Sequence, residues 1–554
     1  MLRETWYQQA NDAGPAGPQS PSDPIRPITE SVDRALNGRP SVRRHLRKVV
    51  DNVGNGAHRD PRMHRNIPQS DCHRRKLPES LASLHATMQG FISHKEVPAM
   101  TDNSVQRRTQ PHPSPTRRTI VGAGLGAAAA ELLSGCGSPV ATGLFGLAPP
   151  SDKLTYWNLF SGGDGANMAK MEKVYERSHP SIDLSATTLS WGTPYYTKLA
   201  LATAGGAPPD VGIVHLSRLD TFVEAGLLTP FPADELTAFG MPATNFTPRA
   251  AQKATVDGQL HAIPLDTHPF VMYYNIPVCR KAGLLDADDN LKPIHGPAEL
   301  TAALLAAKKV TGHYGGVVAV IGDPATNLRY FSTLYYQAGG TYIADAGQKI
   351  TIDNDKAAQV LTFMRNLTKS GLMPATINDA GVLSLFSTGK AGFLFDGEWD
   401  IPTYRATPLN GKFNVVPIPH IFGPKPVAYA DSHSFVIPRN SAMDKNRRAM
   451  VLTFIKTMLE NSLIWAGGGH VPAWTPVRDS AAFKALKPQA NYVAAAETAM
   501  YDPPAWYSGA GSDFENIIGA AVANSQSGVS SASSAVGQMW SGLRPYADAK
   551  APVG

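Results

Sequence analysis

The stretch Pro194-Tyr-Tyr-Thr-Lys-Leu-Ala-Leu-Ala-Thr-Ala-Gly-Gly-Ala-Pro-Pro-Asp-Val-Gly-Ile-Val214 predicts a helix, a glycine stop and a buried strand in direct succession. Pro194 suits the first turn of a helix, where a missing N–H leaves no hydrogen bond unmade. Gly205-Gly206 ends the helix, and the short apolar run from Val211 is typical of a buried strand. Helix followed by strand is the unit from which α/β folds are built.

The same alternation continues on both sides of this stretch. β-Branched and aromatic residues predict strands at Leu154–Phe160, Ile182–Leu189 and Phe270–Tyr274. Apolar spacing and terminal glycines predict helices at Leu219–Gly226, Pro297–Val310, Leu328–Ala338, Lys356–Ser370 and Asn446–Glu460. We therefore expect an α/β fold with a mainly parallel sheet. A chain of 554 residues is too long for one core, so two or more lobes are expected.

The excess positive charge lies entirely at the start of the chain. The net charge is +6, yet residues 1–136 alone hold 19 Lys and Arg against 12 Asp and Glu, which leaves 32 and 33 for the rest. A neutral body is not built to follow a phosphate backbone, so nucleic acid is excluded as a partner. Three cysteines in 554 residues also exclude a disulfide scaffold.

Residues 1–115 have the composition of a disordered segment or of a mis-annotated extension. Met100 is an alternative start to Met1. The role of residues 1–99 stays open. Residues 116–136 have the layout of an export signal, with paired arginines, a short apolar run and small residues.

The sequence Leu133-Ser-Gly-Cys136 resembles the lipobox of bacterial lipoproteins, and Arg117-Arg118 resemble a twin-arginine signal, with Sec export as the alternative. The resemblance implies cleavage before Cys136, lipidation of its thiol and anchoring of the chain outside the cytoplasm. Residues 137–151 are expected to form a tether that connects Cys136 to the folded part of the chain.

Five motifs in order resemble the carbohydrate-binding family of extracellular solute-binding proteins of ABC transporters. They are Trp157…Gly162-Gly-Asp-Gly165, Tyr195–Val211, Ile263-Pro-Leu-Asp266…Tyr273-Tyr-Asn275, Gly389-Lys-Ala-Gly392…Gly397-Glu-Trp399 and Gly469-His-Val-Pro472. The resemblance implies a two-lobed, maltose-binding-protein-like (type II) fold with a hinge cleft, and chain crossings near Leu265, Ala428 and Gly467. Lobe 1 is then expected to hold residues 152–265 and 429–467, and lobe 2 residues 266–428 and 468–554.

A site for sugars needs aromatic faces for the C–H surfaces and polar groups for the hydroxyls. Such residues stand at predicted turns and crossings, and we expect ligand contacts from Asp164, Trp191, Asp266, His268, Glu398, Trp399, His470 and Trp474. Asp164 is placed in a glycine turn and fits a helix cap equally well. The histidines, including His433, fit ordinary hydrogen-bonded roles as well.

Motif absences favour binding over catalysis. The chain carries no phosphate-binding loop, no His-Glu-x-x-His, no paired cysteines for zinc and no Gly-x-Ser-x-Gly elbow. We expect no cofactor, no metal and no enzymatic activity. The expected partners are a carbohydrate and a membrane permease with a cytoplasmic ATPase, the chain itself being a monomer.

Three rival functions remain open at this point. A glycerophosphodiester or sugar-phosphate binder would use arginines, for which Arg218, Arg329 and Arg405 are candidates. An exported glycoside hydrolase would need two carboxylates, from Asp164, Asp266, Asp396 and Glu398. A surface adhesin would need no enclosed cleft. The identity of the sugar and its affinity are not readable from the sequence.

Overall fold

Two β-sheets organise residues 152–424 and 427–550, the part of the chain that the computed structural model describes. The predicted extension 1–115, the export signal 116–136 with Cys136 and the tether 137–151 all lie outside the described residues. The strands are β1 (Lys153–Asn158), β2 (Asp183–Thr188), β3 (Val211–His215), β4 (Leu228–Thr229), β5 (Thr255–Val256), β6 (Gln259–Leu260), β7 (Ile263–Pro264), β8 (Asp266–Asn275), β9 (Tyr314–Val317), β10 (Ile343–Ala344), β11 (Lys349–Ile350), β12 (Ala391–Gly397), β13 (Phe413–Pro417), β14 (Ala428–Asp431), β15 (His433–Pro438), β16 (Val471–Pro472) and β17 (Ala499–Met500).

Helices cover both sheets. They are α1 (Gly162–Ser178), α2 (Thr193–Ala204), α3 (Leu219–Glu224), α4 (Ala233–Ala238), α5 (Pro248–Lys253), α6 (Ile276–Lys281), α7 (Gly296–Thr311), α8 (Pro324–Gln337), α9 (Asn354–Lys369), α10 (Asp379–Ser387), α11 (Ile401–Arg405), α12 (Lys445–Glu460), α13 (Ser462–Ala466), α14 (Thr475–Arg478), α15 (Ala481–Lys484), α16 (Val493–Glu497), α17 (Asp513–Ser527) and α18 (Ala532–Ala547). Short 3₁₀ turns cover Leu216–Arg218, Ala243–Asn245, Asp345–Gly347, Glu398–Asp400 and Gln489–Tyr492.

The helices predicted from spacing are present, with shifted ends. The largest shift is in α8, which begins at Pro324 rather than Leu328. The carboxylate of Asp323 accepts a hydrogen bond from the N–H of Ala325 at 2.9 Å, so an aspartate cap followed by proline starts this helix one turn earlier. Asp164 lies in the first turn of α1, so its predicted placement in a glycine turn is wrong.

The first sheet has the strand order β2-β1-β3-β15-β4, with β7 beside β15. β1 runs parallel to β2 and β3, and β15 runs antiparallel to β3. We call the part of the molecule around this sheet lobe 1. Its core includes Tyr156, Ile213, Phe435 and Phe454, all fully buried.

The second sheet has the order β17-β14-β8-β12-β9, with β13 and β16 also on β8, and defines lobe 2. The ten-residue β8 is antiparallel to β12, β13, β14 and β16. The prediction of a mainly parallel sheet is therefore wrong for this lobe. Parallel pairs, which need a long crossover connection, are found in this lobe at β9–β12 and β14–β17.

The chain passes between the two sheets at three places. Leu265 separates β7 from β8, Ser432 separates β14 from β15, and residues 467–470 separate α13 from β16. The residue limits of the lobes stay a prediction, since segments 473–474 and 510 also pack in the core of lobe 1. Side chains that flank these three passages meet in space and build the site described below.

A buried ion pair fastens α12 to lobe 1. Nη2 of Arg447 donates to Oδ2 of Asp210 at 2.9 Å, and the same carboxylate accepts from N and Oγ1 of Thr155 at 2.8 and 2.7 Å. Between residues 152 and 550, as far as the chain is described, no helix combines the length and the apolar character needed to cross a membrane.

Candidate functional site

Asp266, the first residue of β8, is the centre of a buried hydrogen-bond network. Its Oδ1 accepts from Nδ1 of His268 at 3.1 Å and from the backbone N–H of His433 at 2.8 Å. Its Oδ2 accepts from Nδ1 of His433 at 2.7 Å and from Nε1 of Trp465 at 2.6 Å. Because Asp266 is fully buried, these four donors replace the water that an ionised carboxylate otherwise requires.

His470, at the third passage, brings further carboxylates to the same place. Its Nε2 lies 2.9 Å from Oδ1 of Asp164, and its Nδ1 lies 3.1 Å from Oε1 of Glu398 and 3.3 Å from Oδ2 of Asp266. Its ring stacks on Trp465, with centroids 4.4 Å apart. We call Asp164, Asp266, His268, Glu398, His433 and His470 together the acid–imidazole cluster.

Burial and mutual proximity displace the pKa values within this cluster. Burial and the neighbouring His433 lower the pKa of His268 to about 3. Burial alone would raise the pKa of Asp266, but the imidazoles of His433 and His268 hold it well below its usual value. Burial opposes the charge of His470, yet the carboxylates of Asp164 and Glu398 raise its pKa well above the usual value. The cluster thus combines a neutral imidazole, an imidazolium and a stable carboxylate.

Glu398 and Nδ1 of His470 face each other at 3.1 Å without hydrogen-bond geometry. Burial raises the pKa of Glu398 to about 7, against the opposing effect of His470. Its side chain is fully buried, and neither Oε atom has a hydrogen-bond partner with proper geometry among the described residues. A buried polar atom without a partner costs about 1–3 kcal/mol, so a bound molecule that donates a hydrogen bond here would recover free energy.

Gly469 allows Glu398 to approach His470. Its φ is +127°, and a Cβ at this position would stand 2.1 Å from the carbonyl oxygen of Glu398. Only glycine fits such a close backbone approach. The Gly-Gly-His sequence before β16 is therefore required by the packing of the cluster.

A second polar group adjoins the cluster on the side of His268. Oδ1 of Asp431 accepts from the N–H groups of Ser217 and Ser432 at 3.1 and 2.8 Å, and its other oxygen accepts from the hydroxyl of Ser217. Nδ1 of His215 is hydrogen-bonded to the hydroxyl of Tyr196 at 2.7 Å. His215 belongs to lobe 1 and Asp431 to lobe 2, so this buried polar group reaches from one lobe into the other.

Trp399 lies at the edge of the cluster, half-buried and close to His268, with ring centroids 5.8 Å apart. The guanidinium of Arg329 lies 5.0 Å from the centre of its indole, and Nη2 of Arg329 lies 3.8 Å from Oε2 of Glu515. Burial raises the pKa of Glu515 to about 7, against the effect of Arg329. An aromatic face with charged groups at its rim is thus present next to the cluster.

Arg218, another of the three candidate phosphate-binding arginines, also lies in this region. Arg218 lies with its guanidinium 5.0 Å from the ring of Tyr196 and donates to the carbonyl oxygen of Ser508 at 3.2 Å. Burial and the carboxylates of Asp431 and Glu515 raise the pKa of Asp502, the adjacent buried acid, well above its usual value. Arg405, in contrast, donates to the carbonyl oxygens of Gly467 and Lys487.

The structure brings together five of the eight predicted site residues, which are Asp164, Asp266, His268, Glu398 and His470, with Trp399 beside them. Trp474, in contrast, lies outside the cluster. It packs in the core of lobe 1 against Phe246, with ring centroids 5.0 Å apart. Trp191 is 41% exposed just ahead of α2, and its contact with a ligand stays a prediction.

Sequence reasoning assigned two members of the network no site role. His433 was given an ordinary role, although the Asp-Ser-His sequence at the second passage places it opposite His215 in the strand register. Trp465 follows an apolar helical pattern that gives no sign of its hydrogen bond to Asp266. The sequence signal that could have identified His433 as a site residue is its position shortly after the crossing predicted near Ala428.

A surface groove of about 360 Å³ is lined by residues that include Thr247, Arg249, Thr267 and Val471, the last two being chain neighbours of cluster residues. Its lining contains no aromatic side chain and none of the eight predicted residues. The acid–imidazole cluster therefore remains the candidate site.

A model of the bacterial extracellular solute-binding protein family matches residues 171–519. A binding protein of Brucella abortus (strain 2308) is 22% identical over 350 residues, which cover 60% of this chain and 81% of the relative. The arabinooligosaccharide-binding protein of Bacillus subtilis (strain 168) is 26% identical over 247 residues, which cover 44% of this chain and 52% of the relative.

The fold is similar to that of the GacH receptor of Streptomyces glaucescens GLA.O, which was solved unliganded and in complex with acarbose. The TM-score is 0.60 at 20% identity, and the match covers 71% of this chain and 99% of the receptor. This likeness identifies the two-lobed, maltose-binding-protein-like fold.

Proposed function

The chain belongs to the bacterial extracellular solute-binding protein family, and from this premise we propose that it captures a carbohydrate, an oligosaccharide or polyol, in the cleft between its lobes. The single observation that carries the proposal is the acid–imidazole cluster, in which Glu398 of lobe 2 and Asp164 of lobe 1 meet through His470. The relatives described as binding arabinooligosaccharides and acarbose support this ligand class.

The chemistry of the cluster suits a polyhydroxylated molecule. A hydroxyl both donates and accepts, and here it would find carboxylate acceptors and imidazole nitrogens within a few ångströms of each other. Trp399 offers the aromatic face on which the C–H surface of a sugar ring packs. The carboxylate of Glu398, whose 3.1 Å contact with Nδ1 of His470 lacks hydrogen-bond geometry, would then receive a well-aligned donor.

We propose that the captured molecule is not chemically altered. A glycosidase needs a second carboxylate that is free to act as nucleophile or base, whereas Asp266 already accepts four hydrogen bonds. Burial raises the pKa of Cys279, the buried thiol of lobe 2, to about 12, so this residue is not a ready nucleophile. Both features favour capture over catalysis.

A phosphodiester or sugar phosphate is the second candidate, because Arg218 and Arg329 do lie beside the cluster. Phosphate recognition requires a surplus of cationic donors. Here Arg218 already donates to the carbonyl oxygen of Ser508, and Arg329 lies against Trp399 and Glu515. These engaged guanidinium groups make an uncharged carbohydrate the first candidate.

Delivery is proposed to a membrane permease with a cytoplasmic ATPase on other chains, with this chain acting as a monomer outside the cytoplasm. We further propose that the signal at residues 116–136 directs export and that lipidation of Cys136 anchors the chain. Mass analysis of the chain isolated from its native membrane tests the anchor, and an unlipidated N-terminus upstream of Cys136 would contradict it.

A thermal-shift screen of the full chain tests the ligand class. The ligands would be mono- and disaccharides, longer glucans, polyols, glycerophosphodiesters and amino acids. A ligand at one hundred times its Kd stabilises the folded state by about 2.7 kcal/mol, which raises the melting temperature measurably. A shift with one carbohydrate class supports the proposal, and a shift with phosphodiesters alone overturns it.

A further inference from the structure

His215, His268 and Asp431 form a group whose geometry the captured carbohydrate does not require. Each of the three offers one potential metal-ligand atom, and these atoms lie within 4.8 Å of one another. All three side chains are buried, and they come from three separate strands, β3, β8 and β14. Imidazole nitrogen and carboxylate oxygen together are typical ligands of divalent first-row transition metals.

The orientation of the two rings leaves a lone pair for a metal. Nδ1 of His215 is engaged by Tyr196, and Nδ1 of His268 by Asp266. Nε2 of either ring has no hydrogen-bond partner within the described part of the chain. Metal-binding histidines typically donate one ring N–H to a carboxylate, a backbone carbonyl or water and bind the ion through the other nitrogen. His268 matches this pattern through Asp266, and His215 matches it in the tautomer whose Nδ1–H donates to the hydroxyl of Tyr196.

Asp431 retains capacity for an ion despite its hydrogen bonds. Ser217 and Ser432 supply three donors to its carboxylate, whereas a carboxylate has about four lone-pair sites. Nitrogen and oxygen ligands stand about 2.0–2.2 Å from zinc and hence about 3–4 Å from each other. The three ligand atoms all lie within 4.8 Å of one another, a limit that includes this spacing.

A second group of four residues, Asp266, His268, His433 and His470, is equally compact but is a poorer metal site. The Nδ1 atoms of His268 and His433 point at Asp266, whose oxygens also receive Trp465. An ion there would have to displace hydrogen bonds that already satisfy the carboxylate. Asp266 instead acts as the residue that orients His268.

We infer that His215, His268 and Asp431 bind one divalent transition-metal ion, with Zn²⁺ as the test ion. Such a set leaves coordination positions open for water or for a hydroxyl of a molecule in the cleft. The sequence gives no sign of this site, because its three residues are far apart in the chain and follow no metal-binding spacing. The inference goes beyond the proposed function and does not depend on the identity of the carbohydrate.

Zinc binding to the chelator-treated full chain tests the inference without any carbohydrate. Equilibrium dialysis followed by metal analysis gives the zinc content per chain. Because Cys72, His73 and other residues ahead of residue 152 are themselves potential zinc ligands, the criterion is the difference between variants. Wild type should hold one more zinc ion than H215Q or D431N, and H313A, which removes an exposed histidine, should match wild type.

Thermal unfolding of the wild type gives a second readout, which does not depend on whether the variants fold. Zinc at one hundred times its Kd should raise the melting temperature of the folded part, and chelator should reverse the rise. Equal zinc content in wild type, H215Q and D431N would overturn the inference, as would an unchanged wild-type melting temperature. A negative result here leaves the carbohydrate screen unaffected, so the two failures are distinguishable.

Discussion

Nε2 of His470 lies 2.9 Å from Oδ1 of Asp164, a contact between the third passage of the chain and the first turn of α1. The two residues are 306 positions apart in sequence. The same imidazole contacts Glu398 of lobe 2 through its other nitrogen. One ring therefore links the two lobes at the place where the ligand is proposed to bind.

Replacing Trp399 with alanine should weaken carbohydrate binding at least tenfold, because the aromatic face next to His268 is lost. The melting temperature without ligand should stay within a few degrees, since the side chain is only half-buried. Calorimetric titration measures the affinity. W540A is the matched control, because it removes a half-buried tryptophan of lobe 2 that is bonded to Asn354 outside the cluster. Unchanged affinity of W399A would remove this residue from the site.

The pH dependence of stability should be reduced in E398Q. Burial raises the folded-state pKa of Glu398 from 4.5 to about 7, so folding takes up a proton in this range and the free energy of unfolding falls as the pH rises through it. The raised pKa of His470 acts in the same direction, since the stability it contributes is lost at high pH. The difference in melting temperature between E398Q and wild type should therefore shift in favour of E398Q as the pH rises from 5 to 8.

Melting temperatures measured from pH 5 to 8 give this comparison directly. E497Q, which changes an exposed glutamate at the end of α16, should follow the wild-type profile. Parallel profiles for wild type and E398Q would show that Glu398 does not titrate as described.

The G469A substitution should disrupt the cluster. A Cβ at this position would stand 2.1 Å from the carbonyl oxygen of Glu398, on a backbone with φ of +127°. Strain of this kind costs about 1–3 kcal/mol, and the shift of Glu398 should reduce ligand affinity as well. G537A is the contrasting control, since a Cβ there meets open space in α18 and should raise stability by about 0.5–1 kcal/mol. A stable G469A with wild-type affinity would contradict the account.

The D210N substitution should lower stability without changing ligand affinity. Asp210 is buried and holds Arg447 and Thr155, and breaking a buried ion pair costs about 3–5 kcal/mol. Chemical denaturation measures the loss. D289N, which breaks the exposed pair with Arg280, should change stability little, because exposed salt bridges contribute little. Similar losses in both variants would refute the distinction.

Local patterns predicted the helices α2, α3, α7, α8, α9 and α12 and the strands β1, β2 and β3, because apolar period and glycine stops are local signals. They gave no prediction for the long helices α17 and α18 near the end of the chain. The resemblance to solute-binding proteins, and no local pattern, placed Asp266, His268 and His470 near chain crossings, where the structure has them. The antiparallel setting of β8 depends on the path between lobes, which no local pattern encodes. The same holds for Trp474, whose neighbour Pro472 indicates a loop, although the ring packs on Phe246 from a distant segment.

Calorimetric titration of the full chain with the carbohydrate that gives the largest thermal shift tests the central claim most directly. The titrated mixture would then be chromatographed for products. The account predicts one bound ligand per chain and recovery of that ligand unchanged. Absence of binding to any carbohydrate, or the appearance of hydrolysis products, would contradict it.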